Sequence, residues 1–175
     1  MSASEEMIGQ IQPLIPALRR YARAMLRDRD DADDLVQDVL ERAISRWHGR
    51  RQMESLRSWL FAILHNLALD RLRRRARQGT TEPLDAAPED RLGRPATQEM
   101  AVEREDVLAL VATLPEEQRS VLLLIGVEQL SYAEAAAVLD VPQGTVMSRL
   151  SRARERLRRL MDGQPAERPA LRIVP

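Results

Sequence analysis

The 175-residue sequence contains no cysteine and only two histidines, His48 and His65. Without thiols the chain has no disulfide framework, no thiolate metal site and no cysteine nucleophile. Two distant imidazoles do not make a structural zinc site. The sequence also lacks a carboxylate–histidine cluster, a glycine-rich phosphate loop and a nucleophile elbow. We therefore predict a protein that is not an enzyme, with no catalytic, metal-binding or cofactor-binding residues.

Long apolar runs are missing too, since none approaches the ~18–20 residues that cross a bilayer. The first ten residues include Glu5 and Glu6 and lack the basic start and apolar block of a secretory signal. These features predict a cytoplasmic protein without a membrane span.

Lysine is absent, so every basic residue counted in the charge balance is arginine. The 27 basic and 27 acidic residues give a formal net charge of zero, but the charges are segregated along the chain. Residues 51–79 hold seven arginines against two acids, and residues 144–161 hold six against one. Between them, residues 80–117 hold ten acids and three arginines. Two basic blocks separated by an acidic stretch favour a polyanion touched at two separated places.

Apolar residues recur at helical spacing in the first half of the chain, and three amphipathic helices are predicted there. The first helix carries an apolar face over residues 11–26. Asp30 with Asp33 predicts the cap and first turn of the second helix, and Ser55 predicts the start of the third helix. The second helix is expected to bury Leu35, Val36, Val39, Leu40, Ala43, Ile44 and Trp47. The third is expected to bury Leu56, Trp59, Leu60, Ile63, Leu64 and Leu67, with the places of Leu72 and Phe61 left open.

A stretch rich in proline, glycine and acids interrupts this pattern at residues 79–100 and predicts a flexible linker. Helical periodicity returns at residues 102–114, and Pro115 followed by two glutamates predicts the opening of another helix. Residues 121–127 have the composition of a buried strand, but this upstream opening favours a helix. The predicted domains are residues 1–78 and 101–163, followed by a disordered tail over residues 164–175.

The second domain ends in a pattern typical of a helix-turn-helix. Ser131 and Glu134 match a capping box, residues 140–142 a turn, and residues 143–161 a longer helix. That helix places Val146, Leu150, Ala153, Leu157 and Leu160 on its inward side. Small polar residues and arginine occupy the outer side, where they could approach a groove and pair with phosphates or guanine edges. A solvated surface helix is the alternative, but one acid among six arginines favours the nucleic-acid interpretation.

The motifs, in their order along residues 11–160, resemble the extracytoplasmic-function sigma factors of bacterial RNA polymerase, within the sigma-70 family. Region four is resembled by LPEEQR at 114–119, LSYAE at 130–134, VPQGTV at 141–146 and SRLSRAR at 148–154. Region 2.2 is resembled by DDLVQD at 33–38, and regions 2.3 and 2.4 by WLFAI at 59–63 and NLALD at 66–70 with the arginines that follow. The resemblance implies an all-α fold of two small helical domains, a region 2 bundle and a region 4 helix-turn-helix, joined by a flexible linker.

The resemblance also implies three sets of site residues. Core RNA polymerase would be bound by Asp33, Asp34, Gln37, Asp38 and Glu41. The minus-ten promoter element would be bound by Asn66, Arg71, Arg73, Arg74 and Arg75. The minus-thirty-five element would be bound by Gly144, Thr145, Ser148, Arg149, Ser151, Arg152 and Arg154.

Two positions depart from the family pattern. Met147 stands where arginine or lysine is common, so an apolar contact to a thymine methyl could replace a charge. Asp140 stands where many such turns carry glycine, and aspartate tolerates the left-handed conformation that the turn requires.

The resemblance implies a promoter-specificity factor whose partners are core RNA polymerase, promoter DNA and an anti-sigma factor. Two alternatives remain open at this point. One is a sigma-like adaptor that binds an anti-sigma factor without binding DNA. The other is a stand-alone helix-turn-helix regulator, which would need neither the acidic face of the second helix nor the arginines of the third.

Overall fold

The computed structural model of the chain describes residues 3–49, 55–79, 107 and 109–162. All regular secondary structure in these ranges is helical, without any strand, which confirms the predicted all-α class. The predicted tail and all of the predicted linker except Gly79 lie outside the described residues. None of the helices in the described ranges is long and apolar enough to cross a membrane.

Four helices form what we call the first module, the described residues up to Gly79. They are α1 (Ala3–Ile11), α2 (Ile15–Leu26), α3 (Arg29–Ser45) and α4 (Leu56–Gln78), with 3-10 turns at Gln12–Leu14 and Trp47–Gly49. The apolar face of residues 11–26 is divided by the first of these turns. Pro13 lies in that turn and Pro16 in the first turn of α2, and proline cannot donate the hydrogen bond that a continuous helix needs.

The start of α3 differs from the prediction, because its N-cap is Asp28 and not Asp30. The backbone N–H of Asp31 donates to Asp28 Oδ1 at 2.8 Å. Asp30 lies in the first turn, where a carboxylate interacts favourably with the positive end of the helix. The prediction for α4 is confirmed, since Ser55 caps it and accepts from the backbone N–H of Ser58.

The prediction that Ile44 is buried is wrong, because its side chain is 53% exposed. The buried stripe of α3 runs through Leu35, Val39 and Ala43 and narrows towards the C-terminal end of the helix. Leu40 is already half-buried, and Ile44 lies one turn beyond it, just before α3 ends at Ser45.

The second module comprises residues 109–162. Its helices are a segment at residues 109–113, α5 (Glu116–Leu122), α6 (Tyr132–Leu139) and α7 (Gln143–Met161). A π-helical turn, Leu123–Val127, continues α5, which confirms helix over strand for this apolar run. Both α6 and α5 pack against α7.

The predicted capping box of α6 is present. Glu134 N–H donates to Ser131 Oγ at 3.2 Å, and Ser131 N–H donates to Glu134 Oε2 at 2.8 Å. Hydrogen bonds from Ser131 lower the pKa of the Glu134 carboxyl. Asp140 adopts a φ of 52° in the turn before α7, so aspartate does serve where glycine is common.

Helix α4 is buried on two sides. Helices α2 and α3 cover one side, and α6 of the second module covers another. The buried residues are therefore more numerous than one amphipathic face supplies; they are Ser58, Leu60, Phe61, Leu64, His65, Leu67 and Ala68. Trp59, predicted to lie in the core, is only partly buried, whereas Phe61 is fully buried. One continuous set of buried apolar residues runs through both modules.

We predict that Leu35→Ala destabilises the protein by about 2–5 kcal/mol, because it removes a fully buried side chain. Ile44→Ala in the same helix should change the free energy of unfolding by less than about 0.5 kcal/mol, since Ile44 is mostly in water. Urea unfolding followed by circular dichroism measures both values. Equal losses from the two substitutions would contradict the exposure of Ile44.

Candidate nucleic-acid and polymerase interfaces

Helix α7 presents four of the seven predicted minus-thirty-five residues on its solvent side. Val146, Leu150 and Ala153 are buried against the rest of the second module, while Leu157 and Leu160 are partly buried. The opposite side is therefore left to solvent. Of the seven predicted residues, Gly144, Ser151, Arg152 and Arg154 are exposed, and Thr145, Ser148 and Arg149 are partly buried.

Gly144 has open space on its outer side. A Cβ placed there would meet nothing within 4 Å, so packing within the protein does not require glycine. An external surface that approaches the start of α7 closely would use this lack of a side chain. This geometry is consistent with the predicted contact between α7 and a DNA groove.

Arg149 and Ser148 are used within the second module. Arg149 Nη2 lies 2.9 Å from Glu117 Oε1, and its side chain is only 20% exposed. Ser148 Oγ donates to the backbone oxygen of Thr145 at 3.0 Å. Arg149 thus ties α7 to α5, and its charge is partly neutralised before any ligand arrives.

Met147 and Tyr132 form an apolar surface beside the exposed Arg154. Met147 is 50% exposed and Tyr132 is 38% exposed, and with Ser151 and Arg154 they line a shallow hollow on the outer side of α7. Tyr132 is not among the residues predicted from the sequence. Its position directly after the Ser131 cap could have pointed to it, because the first residue of α6 lies near the outer side of α7.

Helix α4 carries the predicted minus-ten residues, which divide into two groups. Asn66, Arg73 and Arg74 are exposed. Arg71 and Arg75 are partly buried and bind the start of α3.

The ion pairs of Arg71 and Arg75 connect α4 to α3. Arg71 pairs with Asp31 and, at 2.6 Å, with Asp38 Oδ2. Arg75 Nη2 lies 2.7 Å from Asp31 Oδ2. Four charges in a half-buried cluster hold two helices together, so these arginines have a structural role in the first module.

The predicted polymerase-binding residues form an acidic ridge on α3, made of Asp33, Asp34, Gln37, Asp38 and Glu41. Asp34 and Glu41 are exposed, and Gln37 Nε2 donates to Glu41 Oε1 at 3.2 Å. Asp33 lies 3.6 Å from Arg19 and 3.4 Å from Arg23, both on α2. Since Asp38 pairs with Arg71, the acidic ridge and the arginines of α4 are in direct contact.

His65 is a buried packing residue next to the exposed Asn66. Its Nδ1 lies 3.0 Å from the hydroxyl of Tyr21, which is also buried. Burial lowers the pKa of His65 to about 4, and the charges of Arg149 and Arg73 act in the same direction. Within the described ranges no group of three or more acidic or imidazole side chains could hold a metal ion.

Two family models match the chain. Residues 11–65 match the sigma2 domain of PhyR, and residues 104–157 match sigma-70, region 4. The chain is 34% identical over 95% of its length to the ECF RNA polymerase sigma factor EcfG of Rhodopseudomonas palustris and spans 91% of that protein. It is 40% identical over 82% of its length to the ECF RNA polymerase sigma factor SigM of Mycobacterium tuberculosis, of which it spans 71%.

Solved structures show the same arrangement of helices. The sigma factor RpoE of Bartonella quintana, crystallised with the anti-sigma factor NepR, superposes with a TM-score of 0.79 at 29% identity. The match covers 90% of this chain and 98% of that one. CnrH, solved in complex with the cytosolic domain of CnrY, superposes with a TM-score of 0.69 at 26% identity, over 94% of this chain and 92% of that one.

We predict that the stability contributed by neutral His65 is lost as the pH falls. The unfolded chain takes up the proton near the ordinary pKa of ~6.5, whereas the folded chain takes it up only near 4. This contribution is therefore present above about pH 6.5 and disappears by about pH 4, a loss of about 3 kcal/mol.

The measurement compares the free energy of unfolding of the parent and His65→Asn from about pH 7 to about pH 4. The parent should lose more stability than the variant, because asparagine can accept the Tyr21 hydrogen bond but does not titrate. His48→Asn, at an exposed position, should follow the parent. Parallel curves for the parent and His65→Asn would contradict the prediction.

Proposed function

Since the chain belongs to the extracytoplasmic-function family of RNA polymerase sigma factors, we propose that it binds core RNA polymerase and directs it to specific promoters. The observation that carries this proposal is the outer side of α7, where Ser151, Arg152 and Arg154 are exposed on the second helix of a helix-turn-helix. The region 4 match spans this helix almost to its end. The protein acts without catalysis of its own, in the cytoplasm where core polymerase works.

In this proposal α7 enters the major groove of the minus-thirty-five element. Ser151 and Arg152 are the best placed to reach base edges, because they are exposed at the centre of the helix. Arg154 contacts the phosphate backbone. Met147 and Tyr132 supply apolar contacts, for which a thymine methyl is a suitable partner.

The exposed residues of α4 bind the minus-ten element. Asn66 offers an amide that can both donate to and accept from a base, and Arg73 and Arg74 attract phosphates. Arg71 and Arg75 contribute chiefly by holding α4 against α3. The bundle thereby presents Asn66 in a fixed orientation, since the neighbouring His65 is buried.

The acidic ridge of α3 binds a basic surface of core polymerase. Asp34 and Glu41 are exposed carboxylates, and Asp33 remains about half exposed despite its ion pairs with α2. Charges of this kind contribute mainly to the association rate and the specificity of docking.

We also propose an anti-sigma factor as a partner. The sigma factor RpoE of Bartonella quintana is bound to one in its crystal structure, and this chain has the same fold over nearly its full length. A protein that engages both modules would control access to the exposed sides of α4 and α7.

A second candidate function is an adaptor that binds an anti-sigma factor without binding DNA. It is favoured by the match of residues 11–65 to the sigma2 domain of PhyR, and the anti-anti-sigma factor PhyR of Bartonella quintana has the same fold at 17% identity, with a TM-score of 0.57. The exposed arginines of both modules argue for DNA binding, because an adaptor of this kind does not need them.

Transcription with purified core polymerase and a library of promoters distinguishes the two functions. We expect the chain to direct initiation from a subset of promoters. Asn66→Ala and Arg152→Ala should each lower initiation by about 5- to 150-fold, because one good contact to a base is worth about 1–3 kcal/mol. Both variants should still bind core polymerase. Arg46→Ala, at an exposed arginine outside the three site sets, is the control and should behave as the parent. No promoter-specific initiation by the parent would overturn the proposal.

The acidic ridge has its own test. Asp34→Asn should weaken binding to core polymerase roughly two- to fivefold, as expected for the loss of one exposed charge pair, and the effect should shrink at high salt. Asp30→Asn changes the same charge on the same helix outside the ridge and should leave the affinity unchanged. Equal effects of the two substitutions in a fluorescence-anisotropy titration would count against the ridge as the docking surface.

A further inference from the structure

Glu128 is the one fully buried acid among the described residues, and none of the proposed binding sites uses it. Its side chain has 0% exposure, and a glutamate is almost never buried to this extent unless it is paired. It follows directly after the π-helical turn of the second module, and its N–H donates to the backbone oxygen of Leu123.

Both partners of Glu128 belong to the first module. Arg20 of α2 donates from Nε to Oε1 at 2.8 Å and from Nη2 to Oε2 at 2.7 Å, which is the strong bidentate arrangement. Arg57 of α4 donates to the backbone oxygen of Glu128 and lies 3.5 Å from Oε2. One carboxylate of the second module is thus clamped by two guanidinium groups of the first.

The contacts around this cluster also join the two modules. Ser58 Oγ of α4 donates to Glu134 Oε1 of α6 at 3.3 Å. Within the first module, the guanidinium of Arg57 also lies 5.8 Å from the ring centroid of the buried Phe61 of the same helix, close enough for a cation–π interaction that orients Arg57 towards Glu128. The ion cluster therefore lies in an interface that excludes water from the carboxylate, where each charged hydrogen bond is stronger than at a surface.

While the two modules are packed together, they cannot bind both promoter elements at the same time. Elements centred near positions minus ten and minus thirty-five are separated by ~25 base pairs, or ~85 Å of duplex. Helix α4, against which the second module packs, is only about 35 Å long. Helix α6 packs against both α4 and α7, and packed helices lie ~8–10 Å apart, so the exposed residues of α4 and α7 lie much closer together than the two elements. The modules must separate before both elements can be bound.

We propose that Glu128, Arg20 and Arg57 form a latch that holds the free chain in a closed, promoter-incompetent state. The proposal rests on the proposed function, because the closed state is inhibitory only for a protein that binds two distant elements. Hydrogen bonds to a charged group have net values that correspond to a roughly 10- to 100-fold change in an equilibrium constant. Removing Arg20 should therefore shift the ratio of closed to open chains by about that factor.

The latch is tested by fluorescence transfer within the free chain. The sequence has no cysteine, so Ser45→Cys and Ala137→Cys, at exposed positions on α3 and α6, introduce one dye site in each module. Into this labelled parent we would place Arg20→Gln, Arg57→Gln or Glu128→Gln.

Arg19→Gln is the matched control. It makes the same charge change on the same helix, but the Asp33 that pairs with Arg19 belongs to the first module.

We expect high transfer in the parent and in Arg19→Gln, and lower transfer in the three latch variants. Low transfer in the parent, or unchanged transfer in all three latch variants, would overturn the proposal. Circular dichroism establishes that each variant keeps its helices. If Glu128→Gln fails to fold, the two arginine variants decide, because Arg20 and Arg57 are 53% and 39% exposed and can be replaced without opening a cavity.

Binding to core polymerase tests the inhibitory effect separately. If polymerase binds the open chain, Arg20→Gln should bind more tightly than the parent, by the ratio of the open population of the variant to that of the parent. Lower transfer without a gain in affinity or in promoter-specific initiation would overturn the inhibitory role. Since the transfer measurement contains neither polymerase nor DNA, its failure leaves the proposed function standing. A failure of transcription by both the parent and the opened variants would instead remove the proposed function.

Discussion

The burial of α4 on two sides is the constraint on which the described structure depends. On one side its apolar residues close the first module with α2 and α3, and on another it packs against α6. The same helix carries Asn66, Arg73 and Arg74 on the surface that remains exposed. A single helix thus serves the core, the contact between modules and the proposed DNA surface. Because one helix carries all three surfaces, a substitution that shifts α4 at one surface also moves the other two.

The arginines of this protein fall into two groups, those that join helices and those that remain exposed. Some arginines join helices within or between modules: Arg71 and Arg75 bind α3, Arg149 binds α5, and Arg20 and Arg57 bind Glu128. The planar guanidinium suits this work, since it donates several hydrogen bonds in a fixed geometry. Other arginines on α4 and α7 remain exposed. A count of positive charge along the sequence therefore exceeds the charge that is available to a nucleic acid.

Much of the fold follows from local chemistry that the sequence displays. The cap at Ser55, the capping box of Ser131 and Glu134, and the prolines near α2 and α5 act within a few residues of where they stand. The predicted start of α3 is wrong because several aspartates close together can each cap a helix, and only the backbone geometry selects Asp28. Ile44 is exposed although its spacing predicts burial, and the reason is different. The apolar periodicity of α3 does not show where the neighbouring helices end.

The candidate site divides in the same manner. Periodicity, charge and motif predict residues 144–154 as a binding surface, because the outer side of α7 is defined by the stripe that the helix buries. The ion pairs of Arg71 with Asp38 and of Arg149 with Glu117 join residues from different helices. A pattern within one stretch of sequence therefore does not predict them. Phe61 likewise lies on a side of α4 that becomes interior through packing against neighbouring helices.

The sequence by itself determined most of the helices, the caps at Ser55 and Ser131, the helix-turn-helix and the family, because these depend on interactions between residues close together in the chain. Tertiary structure alone decided which arginines are engaged, which apolar residues remain in water, and that Glu128 is buried between the modules. Those outcomes depend on helices that are distant in sequence and adjacent in space, and the free energy of burying a charge is set by that adjacency.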